Sequence, residues 1–398
     1  MKEISKIASG VKASATIAVD SLFKQMKADG VDVIGFGAGE PDFDTPENVR
    51  DAAHTAIKNG HTKYTHSSGM PELRKAVAHR LSFDCEIDYT PEQIVVASGA
   101  KHNIYITLRT LINDGDEVIL PAPYWVTYAE IIKMAGGVPV IIFAPESNDF
   151  KITKIQLENA ITEKTKLFIL NNPSNPTGTV YSEDELRELT EICVEHDLYI
   201  MSDEVYYNLI YDGKSFTSVA KLGEDIKKRT IIINGVSKTY AMTGWRIGYS
   251  ASSIELASVM GNYLSHSTSS PSTISQLAAI EALKGSQESV ETMRNEFEKR
   301  RNYLVERINK IEGLSCRKPE GAFYVMLNIE KQIGKTLGGR QIRSSDDFSL
   351  AFLEAGKVAT VSCTSFGIDN FLRLTYASSM ASIKEGMDRL ESFVCAKI

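Results

Sequence analysis

The sequence predicts an α/β protein with a mostly parallel central sheet in a large domain and a smaller α+β domain. Two observations predict it. Short β-branched or apolar runs alternate with amphipathic helical stretches over most of the chain, the order expected of strands joined by crossover helices. After about Thr292 the texture changes to a long charged helix, then strands, then a last helix. The first part gives strands at Gln93–Ala97, Glu117–Leu120, Val138–Phe143, Thr165–Leu170, Tyr199–Ser202 and Thr230–Asn234. Continuous apolar runs such as LFIL and TIIIN suit strands buried on both faces. Between them lie helical stretches at Lys101–Ile112, Trp125–Ala135, Ile155–Ile161 and Glu183–His196. The later part gives a helix over Glu291–Ile311, the run GAFYVMLNI, a Gly/Lys-rich connection, FLRLTYA, and a helix over Ser382–Cys395.

Composition narrows the function. The 398 residues are 43% hydrophobic and 24% charged, enough apolar material for a large core in two or three domains. A formal net charge of -7 argues against a general nucleic-acid or anionic-membrane binder. The five cysteines are scattered, which predicts neither disulfides nor zinc, and the seven histidines show no ligand spacing, so no metal is expected. The N-terminus is too polar for a signal peptide and no run has the length of a membrane span. These features predict a soluble cytoplasmic protein.

The most informative segment is GVSKTYAMTGWRIGY, Gly235 to Tyr249. It begins where TIIIN ends, and open α/β sheets collect ligands beyond the carboxyl ends of their strands. Lys238 is placed to condense with an aldehyde, Ser237 offers a hydroxyl, and Arg246 carries a fork suited to phosphate. A Ser-Lys pair alone also suits a surface loop; the whole spacing G-x-S-K-x-x-A-x-x-G-x-R-x-G is far more specific. It resembles the cofactor-lysine signature of class I and II aminotransferases, pyridoxal-phosphate (PLP) enzymes of fold type I. The resemblance runs from GAGEPDFDTP to FLRLTYA, covering essentially the whole chain, and bacterial aspartate aminotransferases are the most similar group.

That resemblance implies PLP as cofactor and Lys238 as its Schiff-base lysine and general acid/base. It assigns residues 44–292 to a large cofactor-binding domain and residues 1–43 plus 293–398 to a small one. Asp203, closing LYIMS, supplies the carboxylate that keeps the pyridine nitrogen protonated; the competing reading is a helix cap. Tyr206 and Asn175, the latter in NNPSNPTG, reach the ring oxygen. Gly99, Ala100 and Lys101 form the phosphate-side turn at a helix N-terminus, and Trp125 stacks on the ring. Tyr64 reaches the cofactor of a neighbouring subunit, which implies a homodimer with shared active sites.

Arg373 in FLRLTYA would grip the substrate α-carboxylate with backbone help from Gly39. Ser14, Thr16 and Lys101 would meet a distal carboxylate, and Lys12 a larger dicarboxylate such as prephenate. The expected partners are amino acids and 2-oxo acids. One departure stands out. Where many relatives carry proline-glycine, this chain has Ser362-Cys363, which alters the substrate-pocket wall. The expected reaction is aspartate with 2-oxoglutarate giving oxaloacetate and glutamate, by ping-pong transfer. Alternatives are an aspartate/prephenate or aromatic aminotransferase, or a PLP lyase of the same fold. A ligand-sensing regulator would need an added DNA-binding domain, for which the sequence leaves no room.

Overall fold

The computed structural model describes residues 2–11 and 16–395. In chain order its strands begin with β1 Ile34–Gly35, β2 Ile94–Ala97, β3 Glu117–Ala122, β4 Val138–Phe143 and β5 Thr165–Asn171. β6 Tyr199–Asp203, β7 Thr230–Gly235, β8 Gly248–Ala251 and β9 Tyr324–Asn328 follow. The last are β10 Thr336–Leu337, β11 Arg340–Gln341, β12 Val358–Ala359, β13 Val361–Ser362 and β14 Phe371–Thr375. Among the described residues, seven of these form one sheet in the order β2-β8-β7-β6-β5-β3-β4. The run from β4 to β7 is parallel, and β8 is antiparallel to both β7 and β2. The six expected strands are all present. β8 was not expected, because GYSA reads as the tail of the Lys238 motif and is too short to show alternation.

Burial explains the sheet. β7, TIIING, is buried at every position, as a strand covered on both faces must be. Alternation along β5 shows the two faces. Leu167 and Ile169 pack with Ile104, Leu108 and Ile132 from the helices Ala100–Leu111 and Thr127–Met134. Phe168 and Leu170 pack with Leu186 and Leu189 of the helix Glu183–Glu195. That helix buries Leu186, Leu189, Thr190 and Cys193, one stripe of a helical repeat, and starts with a capping box between Ser182 and Glu185.

The later part is built differently. β13, β14 and β9 form an antiparallel sheet. Val325, Leu327, Leu372 and Leu374 pack there against Phe297, Leu304 and Ile308 of the helix Glu288–Lys310. β1 pairs in parallel with β12, so the N-terminal segment adds to this region. The Gly/Lys-rich connection folds into the hairpin β10–β11. No helix among the described residues is long and apolar enough to cross a membrane.

One sheet position controls what lies above it. Gly248 is flanked by Ala97 of β2 and Gly235 of β7. A Cβ there would stand 2.1 Å from the Ala100 nitrogen, so only glycine lets the turn after β2 rest on the sheet. Gly248→Ala should lift that turn and lower the unfolding free energy by about 1–3 kcal/mol, as read from urea denaturation.

Candidate active site

The carboxyl ends of β2, β3, β5, β6 and β7 open into one cavity of about 1420 Å³. The sheet region supplies Ala100, Lys101, Trp125, Asn175, Asp203, Tyr206, Ser237, Lys238 and Arg246 to its lining; Arg373, Gly39 and Tyr324 line it as well.

Asp203 is the last residue of β6 and is 3% exposed. Burial pushes its carboxyl up to about 6, against the lowering effect of the Tyr128 hydroxyl, the Val205 N–H and Lys238. Tyr128 donates to Oδ2 at 2.5 Å. The backbone carbonyl of Asp203 accepts from Asn171 Nδ2 at 3.0 Å, and Asn171 Oδ1 accepts from the Asn175 N–H at 2.7 Å. The end of β5 thereby ties the acid to the NNPSNPTG loop. Lys238 lies just beyond β7, next to β6 in the sheet. Its Nζ donates to the Gly39 carbonyl at 2.5 Å. Burial pushes the ammonium down to about 8, Glu40 opposing and Arg373 and Arg246 adding to the shift. Tyr206 is buried, and its hydroxyl lies 3.0 Å from that of Tyr324.

At another part of the cavity positive charge gathers. Arg246 has φ 57° and turns its guanidinium back to the carbonyls of Thr243 and Ser98, at 2.8 and 3.3 Å. A Cβ on Gly99 would lie 2.2 Å from Arg246 Nη2, and Gly99 has φ 90°, so this turn requires glycine. Lys101 is lowered by burial and by Arg246, and its Nζ sits 4.9 Å from the Trp125 ring centre. Two cations meeting at the start of a twelve-residue helix make a site for an anion.

Arg373, on β14, is 6% exposed. It donates to Asn175 Oδ1 at 3.1 Å and to the Gly37 carbonyl at 2.9 Å. Its guanidinium lies 4.4 Å from the Tyr324 ring centre and 5.2 Å from that of Phe366. The buried Nε has no partner among the described residues. An arginine this enclosed has donor capacity left for a carboxylate.

The segment after β1 straps the cofactor-side loop. Glu40 accepts from Thr243 Oγ1 at 2.7 Å, Thr45 Oγ1 donates to the Ala241 carbonyl at 2.7 Å, and Asp42 pairs with Arg300 at 2.7 Å.

Most expected residues thus converge. Tyr64 does not line this cavity; it is 94% exposed. Gly39 meets Lys238, whereas Arg373 takes Gly37. Lys12 and Ser14 lie outside the described residues, and Thr16 opens the helix Thr16–Ala28. At the departure from the relatives' pattern, Ser362 and Ser365 line the cavity. Ser362 Oγ lies 2.5 Å from Thr364 Oγ1, which bonds Asp346 at 3.0 Å. Cys363 is buried against Met326, Sγ to Sδ 3.6 Å. The pocket wall is polar there and the cysteine faces the core. Sequence reasoning missed Tyr128, Asn171, Tyr324 and Glu40. Asn171 and Glu40 stood inside motifs already singled out, NNPSNPTG and GAGEPDFDTP; Tyr128 and Tyr324 carried no local signal.

A family profile described as aminotransferase class I and II matches residues 31–390. The chain belongs to the class I and II aminotransferases. An aspartate aminotransferase of Bacillus subtilis is 47% identical over 98% of this chain and 99% of its own length. An aspartate/prephenate aminotransferase of Cereibacter sphaeroides is 46% identical over 97% of each. Among solved structures, the aspartate aminotransferase of Rhizobium meliloti superposes with a TM-score of 0.96 at 40% identity, covering 99% of both chains. That of Thermus thermophilus with maleate gives 0.93 at 36%, covering 99% of this chain and 100% of its own. The resemblance read from the motifs is confirmed, as are fold type I and enzyme class.

Aminotransferases of this type are PLP-dependent, and the cavity of this aminotransferase fits the group. A buried carboxylate suits a protonated ring nitrogen, a buried amine of lowered pKa suits an aldehyde, and converging cations suit a phosphate. The amine gives a direct check. Since burial penalises the ammonium, Lys238 of the cofactor-free protein should react with a limiting amine reagent with a midpoint near pH 8. Exposed lysines wait until about 10.4. Glu40→Gln removes the charge that opposes the shift, so it should move the Lys238 midpoint lower still. A midpoint unmoved from the ordinary lysine range would contradict the buried placement.

Proposed function

We propose that this protein is an aspartate aminotransferase, passing the amino group of aspartate to 2-oxoglutarate in two half-reactions to give oxaloacetate and glutamate. The observation that carries the amino-acid part of the reading is Arg373, enclosed in the cavity that also holds Lys238 and Asp203, with an Nε that has no partner among the described residues. The names of the Bacillus and Rhizobium relatives support aspartate. Maleate in the Thermus structure is itself a dicarboxylate.

When bound, PLP supplies a ring that absorbs the electrons released at the substrate α-carbon. The residues of the chain divide the remaining work. Asp203 would hold a proton at the ring nitrogen, Tyr206 and Asn175 would donate to the ring oxygen, and Trp125 would pack against the ring. Ser237, Arg246 and the Gly99–Ala100–Lys101 turn would hold the phosphate. Arg373, with the Gly39 backbone, grips the α-carboxylate and so fixes the α-hydrogen before Lys238. Nζ of Lys238, neutral above about pH 8, takes that proton and later returns it. Lys101 meets the distal carboxylate; Thr16, Lys12 and Ser14 belong to the same proposal.

A division into a large domain over 44–292 and a small one over 1–43 plus 293–398 puts the cavity at their junction. The exposed Tyr64 supports a homodimer in which it completes the partner's site, and a cytoplasmic enzyme fits this metabolism. A second reading, aspartate/prephenate transfer, is favoured by the name of the Cereibacter relative.

An amino-donor panel with 2-oxoglutarate as acceptor tests the assignment. Aspartate should far exceed leucine and phenylalanine, and equal rates would defeat it; amination of prephenate would select the second reading. Lys238→Ala should leave no measurable transfer. Arg373→Lys loses a two-pronged grip, so kcat/KM for every amino acid should fall by about thirtyfold, corresponding to about 2 kcal/mol.

A further inference from the structure

Among the described residues Tyr128 is the one strong side-chain donor to the acid that the reaction uses, and the mechanism above gives it no part. It lies on the helix Thr127–Met134, is 1% exposed, and lines the same cavity. Its hydroxyl is 2.5 Å from Asp203 Oδ2, while Oδ1 accepts from the Val205 N–H at 3.4 Å. The ring of Tyr128 also stands edge-on to Trp125, with centres 5.3 Å apart and planes at 87°. One side chain therefore braces both the acid and the aromatic wall.

We propose that Tyr128 is a positioning residue for Asp203: its hydroxyl keeps that carboxylate ionised and oriented, and so sets the pH range over which the protein retains PLP. The inference rests on the cofactor reading given above.

The physical case is one of competition between burial and donation. A carboxyl out of water favours its neutral form unless donors offset the loss of hydration. Here the Tyr128 hydrogen bond is the largest of the influences that favour the ionised form of Asp203. Burial and Asp203 itself hold the phenol well above its ordinary range, so it remains a donor across the working pH. The other titratable groups facing Asp203 are Lys238, beyond β7, and Tyr206, three residues on. Glu204, next in sequence, is engaged elsewhere, accepting from Ser202 at 2.9 Å and Ser218 at 2.7 Å. None of these replaces a donor aimed at Oδ2. Cofactor binding that needs an ionised Asp203 competes with protonation of that carboxyl, so removing the donor should bring the loss of affinity to a higher pH.

The test measures PLP dissociation constants between about pH 5 and about pH 9 for the wild type, Tyr128→Phe, Asp203→Asn and the double variant. Tyr128→Phe keeps the ring and its packing on Trp125. We expect it to bind PLP as tightly as the wild type at the alkaline end. On acidification it should weaken about one pH unit sooner, the gap growing to about tenfold below both midpoints. In the Asp203→Asn background the hydroxyl should make no further difference, as a double-mutant cycle requires of a contact acting through one partner. Weakening by the same factor at every pH, or an effect that persists without Asp203, would show packing alone and overturn the proposal. A wild type that binds no PLP at any pH would instead overturn the cofactor reading on which it rests.

Discussion

Everything in this site follows from holding an acid and a base out of water at the ends of neighbouring parallel strands. Desolvation drives Asp203 up to about 6 and Lys238 down to about 8, so the carboxylate is still ionised at the pH where the amine becomes able to take a proton. Parallel strands make this economical. Their carboxyl ends lie side by side, and a single sheet delivers the acid, the amine and the Gly99–Lys101 turn to one opening. The antiparallel β8 serves the same end from below, because its glycine leaves room for the turn above it.

The fold was legible because its signals are local. The continuous apolar runs of β5 and β7, and the Leu186–Leu189–Cys193 stripe, fix element type without reference to the rest of the chain. The lysine motif was legible for a related reason: Ser237, Lys238 and Arg246 are close in sequence and each brings a distinct chemistry. Asp203, Asn175 and Arg373 were weaker alone, and their order relative to that motif made them readable.

What escaped the sequence is what only packing creates. Tyr128 reads as one more apolar face of a helix, and its bond to Asp203 spans 75 positions. Tyr324 sits inside the strand GAFYVMLNI, where an aromatic is ordinary, yet it stacks on Arg373 and meets Tyr206. Glu204 is a neighbour of Asp203 in sequence but turns away into Ser202 and Ser218. Asp203 was readable from its place at the end of LYIMS; that Glu204 turns to the opposite side follows from the alternation of the strand end.

The strap from Gly39 to Thr45 and the position of Arg373 have a consequence for biosynthesis. The seven-stranded sheet has all its strands once residue 251 has left the ribosome, and it can begin to pack as a unit. The cavity cannot be finished then. Arg373, the proposed grip for the substrate carboxylate, sits on β14, and the strap near the N-terminus is anchored to Arg300. During the interval between these points a nascent chain carries Lys238 and Asp203 on a nearly complete platform with one wall missing. Completion of the site therefore waits for the synthesis of β14, which keeps products truncated before it from assembling a working centre.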